Sequence, residues 1–209
     1  MANDNLVLNE LHIDMLKEVG HICTGNATIA LSQVINQRVQ LTIPDLKIVA
    51  SNKVSEMFQN NLEILVGVNI QLLGQLSGNI VLMFPEKSAY GLIDGVSEEH
   101  SELGNATEFG VSILKEIGNI VISAYLATMS TFTQTVILHS TPSLTCGTLE
   151  TILNIAFRKV FEKTEEIVMI ETFFSIEKTK VEGSFFLMFE PAILRKLLDK
   201  QYIQTDPHN

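Results

Sequence analysis

Ser112, Glu116, Asn119 and Pro142 are separated by four, three and twenty-three residues, and Asp14, Glu18, His21 and Pro44 are separated by the same three intervals. Each set is built around nearly the same text, LKEVG from Leu16 to Gly20 and LKEIG from Leu114 to Gly118. A carboxylate and a carboxamide three residues apart on a helix share one face, and the pair suits hydrolysis on a bound partner. A carboxamide accepts a hydrogen bond from one group while donating to another, so it can hold a water for in-line attack. A carboxylate one turn earlier can pair with a cation on the partner and fix its docking register. No nucleophile is needed on this chain if the bond is already reactive, as in an acyl phosphate on an aspartate. In the first set His21 stands where the second has Asn119, and there the chemistry of the two sets diverges.

Two other readings use the same residues. A Glu-x-x-Asn on a helix is most often a solvated face and nothing more. Its return at fixed spacing argues against that, as does an asparagine inside a helix, where it is a poor former. Glu18 and His21 also have the Glu-x-x-His spacing of di-iron bundle ligands. The second set lacks the histidine, and the remaining ones (His12, His100, His139, His208) are scattered, so no metal is expected on this chain.

The elements that must carry these groups are legible from periodicity. At about 100° per residue, Leu16, Val19, Cys23, Ala27, Ala30 and Val34 fall in an arc of about 80°, and Leu114, Ile117, Val121, Tyr125, Thr128 and Phe132 occupy the same angles. The polar residues lie on the opposite side. Two long helices, roughly 11–37 and 107–132, are therefore predicted to bury one stripe each and present the short polar stripe to water. After each helix the period changes to two. Residues 38–50 and 133–145 read as strands containing Pro44 and Pro142, and a proline in a ladder belongs at an edge or a bulge. Residues 66–84 alternate with Gly74 near the middle, a hairpin signal. Its counterpart runs over 167–189 and turns near Lys178 and Thr179, and the hairpins end alike, as GNIVLMF and GSFFLMF. Short helices are predicted near 52–58 and 147–153, and again at 86–95 and 191–200.

Each half is thus helix–strand–helix–strand–strand–helix. Neither buries its sheet alone, so the prediction is one α/β (α+β) domain over residues 1–209. Its two repeats, about 10–96 and 106–201, are related by a pseudo-twofold, with the long helices packed on a shared, mainly antiparallel sheet. Residues 97–106 form the connector and 202–209 a short tail.

Composition narrows the partners. The chain is 46% hydrophobic with a net charge of −10 and no Lys/Arg cluster, which argues against nucleic acid and against an anionic membrane surface. Residues 64–84 and 117–149 lack charge, but amides and hydroxyls interrupt both, unlike the near-continuous apolar run of about 20 residues that a spanning helix needs. The N-terminal text has no signal-peptide pattern. Cys23 and Cys146 are not in metal-ligand spacing and are expected to be buried free thiols in a reducing compartment. A cytoplasmic protein is the expectation.

The pattern Asp/Ser-x-x-x-Glu-x-x-Asn with proline twenty-three residues on, together with the text EIGNI and GNATIALS, resembles the CheC family of chemotaxis phosphatases along essentially the whole chain. The resemblance implies hydrolysis of the phospho-aspartate of a CheY-type response regulator, with Glu116 and Asn119 as the catalytic pair. It implies a second site at Glu18 and His21 that is weak or dead, because an imidazole is longer than a carboxamide and has one acceptor when neutral, none when protonated. Neighbouring Asn26 faces about 140° away from His21 and does not rescue it. Asp14 and Ser112 would contact the partner or hold the glutamate, and Pro44 and Pro142 would shape the strand beneath. The regulator would bring its own magnesium, leaving this chain without a cofactor. CheD and flagellar switch proteins are further partners the resemblance implies. The rival reading is a non-catalytic adaptor that docks a regulator, CheD or the switch.

Overall fold

The computed structural model describes residues 8–42, 45–58, 62–76, 78–96, 108–162, 164–176, 178, 180–195 and 198–199. The expected connector at 97–106, the tail at 202–209, Pro44 and Thr179 lie outside them. Helix α1 spans Glu10–Ile35. It starts at a reciprocal cap in which Asn9 Oδ1 accepts from the His12 amide at 2.8 Å and His12 Nδ1 accepts from the Asn9 amide at 3.3 Å. That assigns the imidazole proton to Nε2, which lies 3.0 Å from Asp199 Oδ1. The start of α1 is thereby tied to the far end of the described chain. Helix α4, Glu108–Thr133, has the same length as α1. Both end on a residue in the left-handed region, Asn36 at φ 51° and Gln134 at φ 46°. Both also have a serine bonding forward across that end, Ser32 to the Gln37 carbonyl and Ser130 to the Thr135 carbonyl.

The strands are β1 (Val39–Leu41), β2 (Asp45–Ala50), β3 (Leu65–Leu73), β4 (Gly78–Pro85), β5 (Leu138–His139), β6 (Ser143–Gly147), β7 (Glu166–Ile176) and β8 (Val181–Phe189). They form one sheet in the order β1-β7-β8-β4-β3-β5, with β2 also on β7 and β6 also on β3. Every pairing is antiparallel, as the alternating pattern predicts. Each hairpin carries on its outer edge the short strands that follow the other segment's long helix. The α/β class and the shared sheet read from the sequence are those of the structure.

The sheet is buried on both faces. On one, α1, α4 and α3 (Glu86–Val96) cover Val66, Val68, Ile70, Leu82, Phe84, Val168, Ile170, Phe185 and Leu187 in a single core. On the other, α5 (Leu149–Phe161) and the short α2 (Val54–Phe58) cover Leu65, Val81, Met83, Ile167, Met169, Phe186 and Met188. At β3 and β4 the odd positions are therefore partly apolar as well, where pure alternation would leave them wet.

Several expectations are corrected. Residues 38–50 and 133–145 are not continuous strands: α4 runs to Thr133, each stretch holds two short strands, and in the second these flank a corner at Thr141 and Pro142. Helix α5 continues to Phe161, beyond the predicted 153, because Ile152, Leu153, Ala156 and Phe157 keep an apolar stripe in contact with the sheet. The buried stripe of α1 ends on Leu31 and Ile35, with Ala30 and Val34 only half-buried. It veers because α1 packs on α4 as well as on the sheet, as the 2.8 Å bond from Asn26 Nδ2 to Thr128 Oγ1 shows. Cys23 is buried, and burial pushes its thiol pKa up to about 12, but Cys146 on the edge strand β6 is exposed. Helix α4 is long and apolar enough by composition to cross a membrane, though 44% of its most apolar window is buried inside the protein.

Between α1 and α4 the Tyr125 hydroxyl is buried and has no hydrogen-bond partner among the described residues, and desolvation raises its pKa well above the usual phenol range. An unsatisfied buried hydroxyl is a net cost. Tyr125→Phe should leave stability unchanged or raise it by about 1 kcal/mol. Urea denaturation measures this, and a loss above about 2 kcal/mol would reveal a partner for that hydroxyl.

Candidate functional site

Ser112, Glu116 and Asn119 occupy successive turns of α4, and an open cleft of about 450 Å³ lies against them. Its lining is Ser112, Lys115, Glu116, Asn119, His139, Ser140, Thr141 and Pro142. The structure thus gathers the four second-set residues in one place, although twenty-three residues separate Asn119 from Pro142. Glu116 is exposed and Asn119 half-buried. Among the described residues neither side chain has a hydrogen-bond or ion-pair partner, whereas the Ser112 hydroxyl donates to the Glu108 carbonyl at 2.9 Å. The carboxylate and carboxamide therefore face solvent with their bonding capacity unspent.

The opposite wall is the corner between β5 and β6. Ser140 continues the edge of the sheet: its amide donates to the Gln71 carbonyl at 2.9 Å and its hydroxyl accepts from the Gln71 amide at 3.1 Å. Pairing resumes at Ser143, opposite Asn69, so Thr141 and Pro142 lie where one extra residue bulges from the ladder. Pro142 meets no conflict there, since a bulge on an edge strand requires no amide from it.

Close packing sets the height of α4 above the sheet. A Cβ built on Gly118 would lie 2.5 Å from Val68 Cγ1. Only hydrogen fits, which places the turn carrying Glu116 and Asn119 directly over β3.

On α1, Asp14, Glu18 and His21 are exposed and without partners among the described residues. Thr42 at the end of β1 bonds to Phe173 as Ser140 does to Gln71, with its amide donating to the carbonyl at 2.9 Å and its hydroxyl accepting from the amide at 3.0 Å. The first-set corner beyond it, with Pro44, is outside the described residues. No three His, Cys, Asp or Glu side chains converge as a metal site among the described residues.

Sequence reasoning missed Lys115, His139, Ser140 and Thr141 as lining residues. The signal was present in the unbroken polar run from His139 to Thr141 just before the proline. It was obscured because a continuous strand would have pointed alternate members away from the helix.

Residues 109–145, which include the corner and all of α4 but Glu108, match the CheC-like family. The chain is similar to the CheY-P phosphatase CheC of Bacillus subtilis (strain 168), 21% identical over 169 residues that make up 79% of this chain and 80% of that one. It is also similar to the flagellar motor switch phosphatase FliY of the same organism, 25% identical over 126 residues, which are 59% of this chain and 32% of FliY. Among solved structures, FliY of Thermotoga maritima superposes with a TM-score of 0.75 at 20% identity, over 95% of this chain and 100% of that chain. The CheX–CheY–BeF3–Mg complex of Borrelia burgdorferi gives a TM-score of 0.55 at 16% identity, over 82% of this chain and 99% of that chain. The likeness to the CheC family read from the residues is borne out.

The packing at Gly118 generates a test. Gly118→Ala should destabilise the protein by about 1–3 kcal/mol as α4 lifts from Val68. The companion Gly118→Ala/Val68→Ala, which makes room for the new methyl, should recover part of that loss in urea denaturation. Equal stability of Gly118→Ala and wild type would refute the close approach.

Proposed function

We propose that this chain hydrolyses the phospho-aspartate of a CheY-type response regulator in the cytoplasm, through Glu116 and Asn119. One observation carries the reading: an unengaged carboxylate and carboxamide, one turn apart, face a cleft open enough to admit part of another protein. The similarity to CheC of Bacillus subtilis, a CheY-P phosphatase, supports it, as does the fold shared with a protein captured in complex with CheY. FliY, a named flagellar switch phosphatase, supports the switch as a second location.

Asn119 holds a water in line with the phosphorus and donates to a phosphoryl oxygen. The water oxygen attacks phosphorus, and the aspartyl carboxylate leaves with the electron pair of the P–O bond. Aspartate and inorganic phosphate are the products. Glu116 pairs with a cation of the regulator and sets the depth at which Asn119 enters. Magnesium in the reaction is the regulator's own and neutralises phosphoryl charge there. The chain then acts by positioning, which suits phosphoryl transfer, where little covalent work falls to the protein.

The two segments read as repeats of one ancestral unit. Supporting this are the exchanged edge strands, the matched helix ends at Asn36 and Gln134, and the matched hydroxyl bonds of Thr42 and Ser140. In that reading the first site, with Asp14 and Glu18 in place, is silent because of His21.

Asn119→Ala should reduce stimulated phosphate release by about 2–4 kcal/mol of barrier while leaving fold and regulator binding intact. Release from a phosphorylated CheY-type regulator measures it, and wild-type turnover in the mutant would overturn the assignment. Binding without release in the wild type would leave the adaptor instead.

Restoring the amide tests the first site. In an Asn119→Ala background, His21→Asn places a carboxamide beside Asp14 and Glu18 on α1, so that the first set, Pro44 included, matches the glutamate, asparagine and proline of the second. Release should climb at least tenfold above the single mutant, an easing of about 1.4 kcal/mol in barrier. Background activity with intact fold would show that the first face lacks more than one residue.

A further inference from the structure

Beside Asn119, a polar tie spans the cleft that no motif position explains. His139 ends β5 and is half-buried. Its Nδ1 is 3.0 Å from the Ser140 carbonyl oxygen, which only accepts, so Nδ1 carries a proton and donates. Its Nε2 is 3.3 Å from the hydroxyl of Ser123, one turn beyond Asn119 on α4. In the neutral ring Nε2 accepts from Ser123, and in the imidazolium it donates to the same oxygen, so the contact survives either state. Ser140 is in turn bonded to Gln71 on β3, and its hydroxyl donates to the Thr141 carbonyl at 3.0 Å. A chain of bonds thus runs from the helix that carries Glu116 and Asn119 to the wall that faces them.

The corresponding places in the first segment hold Gly25 and Leu41. Neither has a polar side chain, so this tie cannot form between α1 and the end of β1. The fold tolerates its absence, since β1 pairs with β7 there without it. The segment with the amide has the tie, and the segment with the imidazole in place of the amide does not.

We propose that His139 and Ser123 are positioning residues for the Glu116–Asn119 site, holding the Ser140–Pro142 corner in the shape the regulator docks against. This rests on the phosphatase reading. The pair touches no reacting atom. It removes in advance the freedom that the corner would otherwise lose on docking, and a docking surface that must be ordered on binding binds more weakly.

The test uses the full chain and a CheY-type regulator of the same organism, phosphorylated with a small-molecule donor. Ser123→Ala keeps the helix, since alanine is the better former, and should raise KM for the phosphorylated regulator roughly three- to tenfold, with kcat within about twofold. His139→Leu, which installs the residue type of Leu41, should do the same. Ser123→Thr retains the hydroxyl and should retain the wild-type KM. A loss of folded protein cannot imitate this, because it lowers kcat and leaves KM alone. An unchanged KM in both Ser123→Ala and His139→Leu, or a fall in kcat without a rise in KM, would overturn the positioning role while leaving the phosphatase reading intact. Failure of that reading has a different signature: no release by the wild type, or full release by Asn119→Ala, would overturn the site and the positioning role together.

Discussion

The structure depends on one backbone seam, the antiparallel pairing of β4 with β8 from Gly78 opposite Phe189 to Met83 opposite Ser184. It joins two hairpins that are distant in sequence and makes their four strands the centre of one sheet. Both faces of that centre are apolar, so long helices are drawn to one side and shorter ones to the other. Burial on this scale stabilises at about 25 cal/mol per Å² of apolar surface, and no single contact elsewhere competes with it. The edge strands need this centre, because strands of two to six residues have too few ladder bonds to persist alone.

The cleft is a product of that hierarchy. Its helix wall is set by hydrogen at Gly118 against Val68, and its other wall by an edge strand that departs from the ladder at Pro142. Rigid packing fixes one side and a handful of hydrogen bonds fixes the other. A site that reads a partner protein benefits from this division. On the proposed function, the groups that would hold a water stand on a closely packed element, while the surface that would meet the partner is shaped by bonds that single substitutions can tune.

Much of this was legible in the residues. The two long helices and both hairpins followed from apolar periods of 3.6 and 2, because those periods are imposed directly by burial. The four- and three-residue spacings placed Ser112, Glu116 and Asn119 on one face for the same reason. What stayed hidden depended on partners far along the chain. The extension of α5 to Phe161 is stabilised by the outer face of the sheet, which strict alternation in β3 and β4 would have left polar. The break at Thr141 and Pro142 arises from a register shift against β3; Pro142 signals an edge or a bulge, but the shift itself depends on a partner strand outside 133–145. With that break went the view that His139 and Ser140 line the cleft, and the bond from His139 to Ser123 was out of reach of any local pattern.

The origin of the strand beneath the cleft has a consequence for how the protein folds. The helix and corner that form the cleft come from residues 108–147, but both rest on β3, which precedes them by about forty residues and more. On the other edge, β2 waits for β7, more than one hundred residues later. Contacts at such separations form late, since the chain must close long loops before they return any free energy. During synthesis the first hairpin therefore emerges with both edges unpaired: β3 gains its outer neighbours only when α4 and the corner have left the ribosome, and β4 gains β8 later still. The pairing that completes the cleft also covers the outer edge of β3, so a chain with a formed cleft has closed that edge to aggregation.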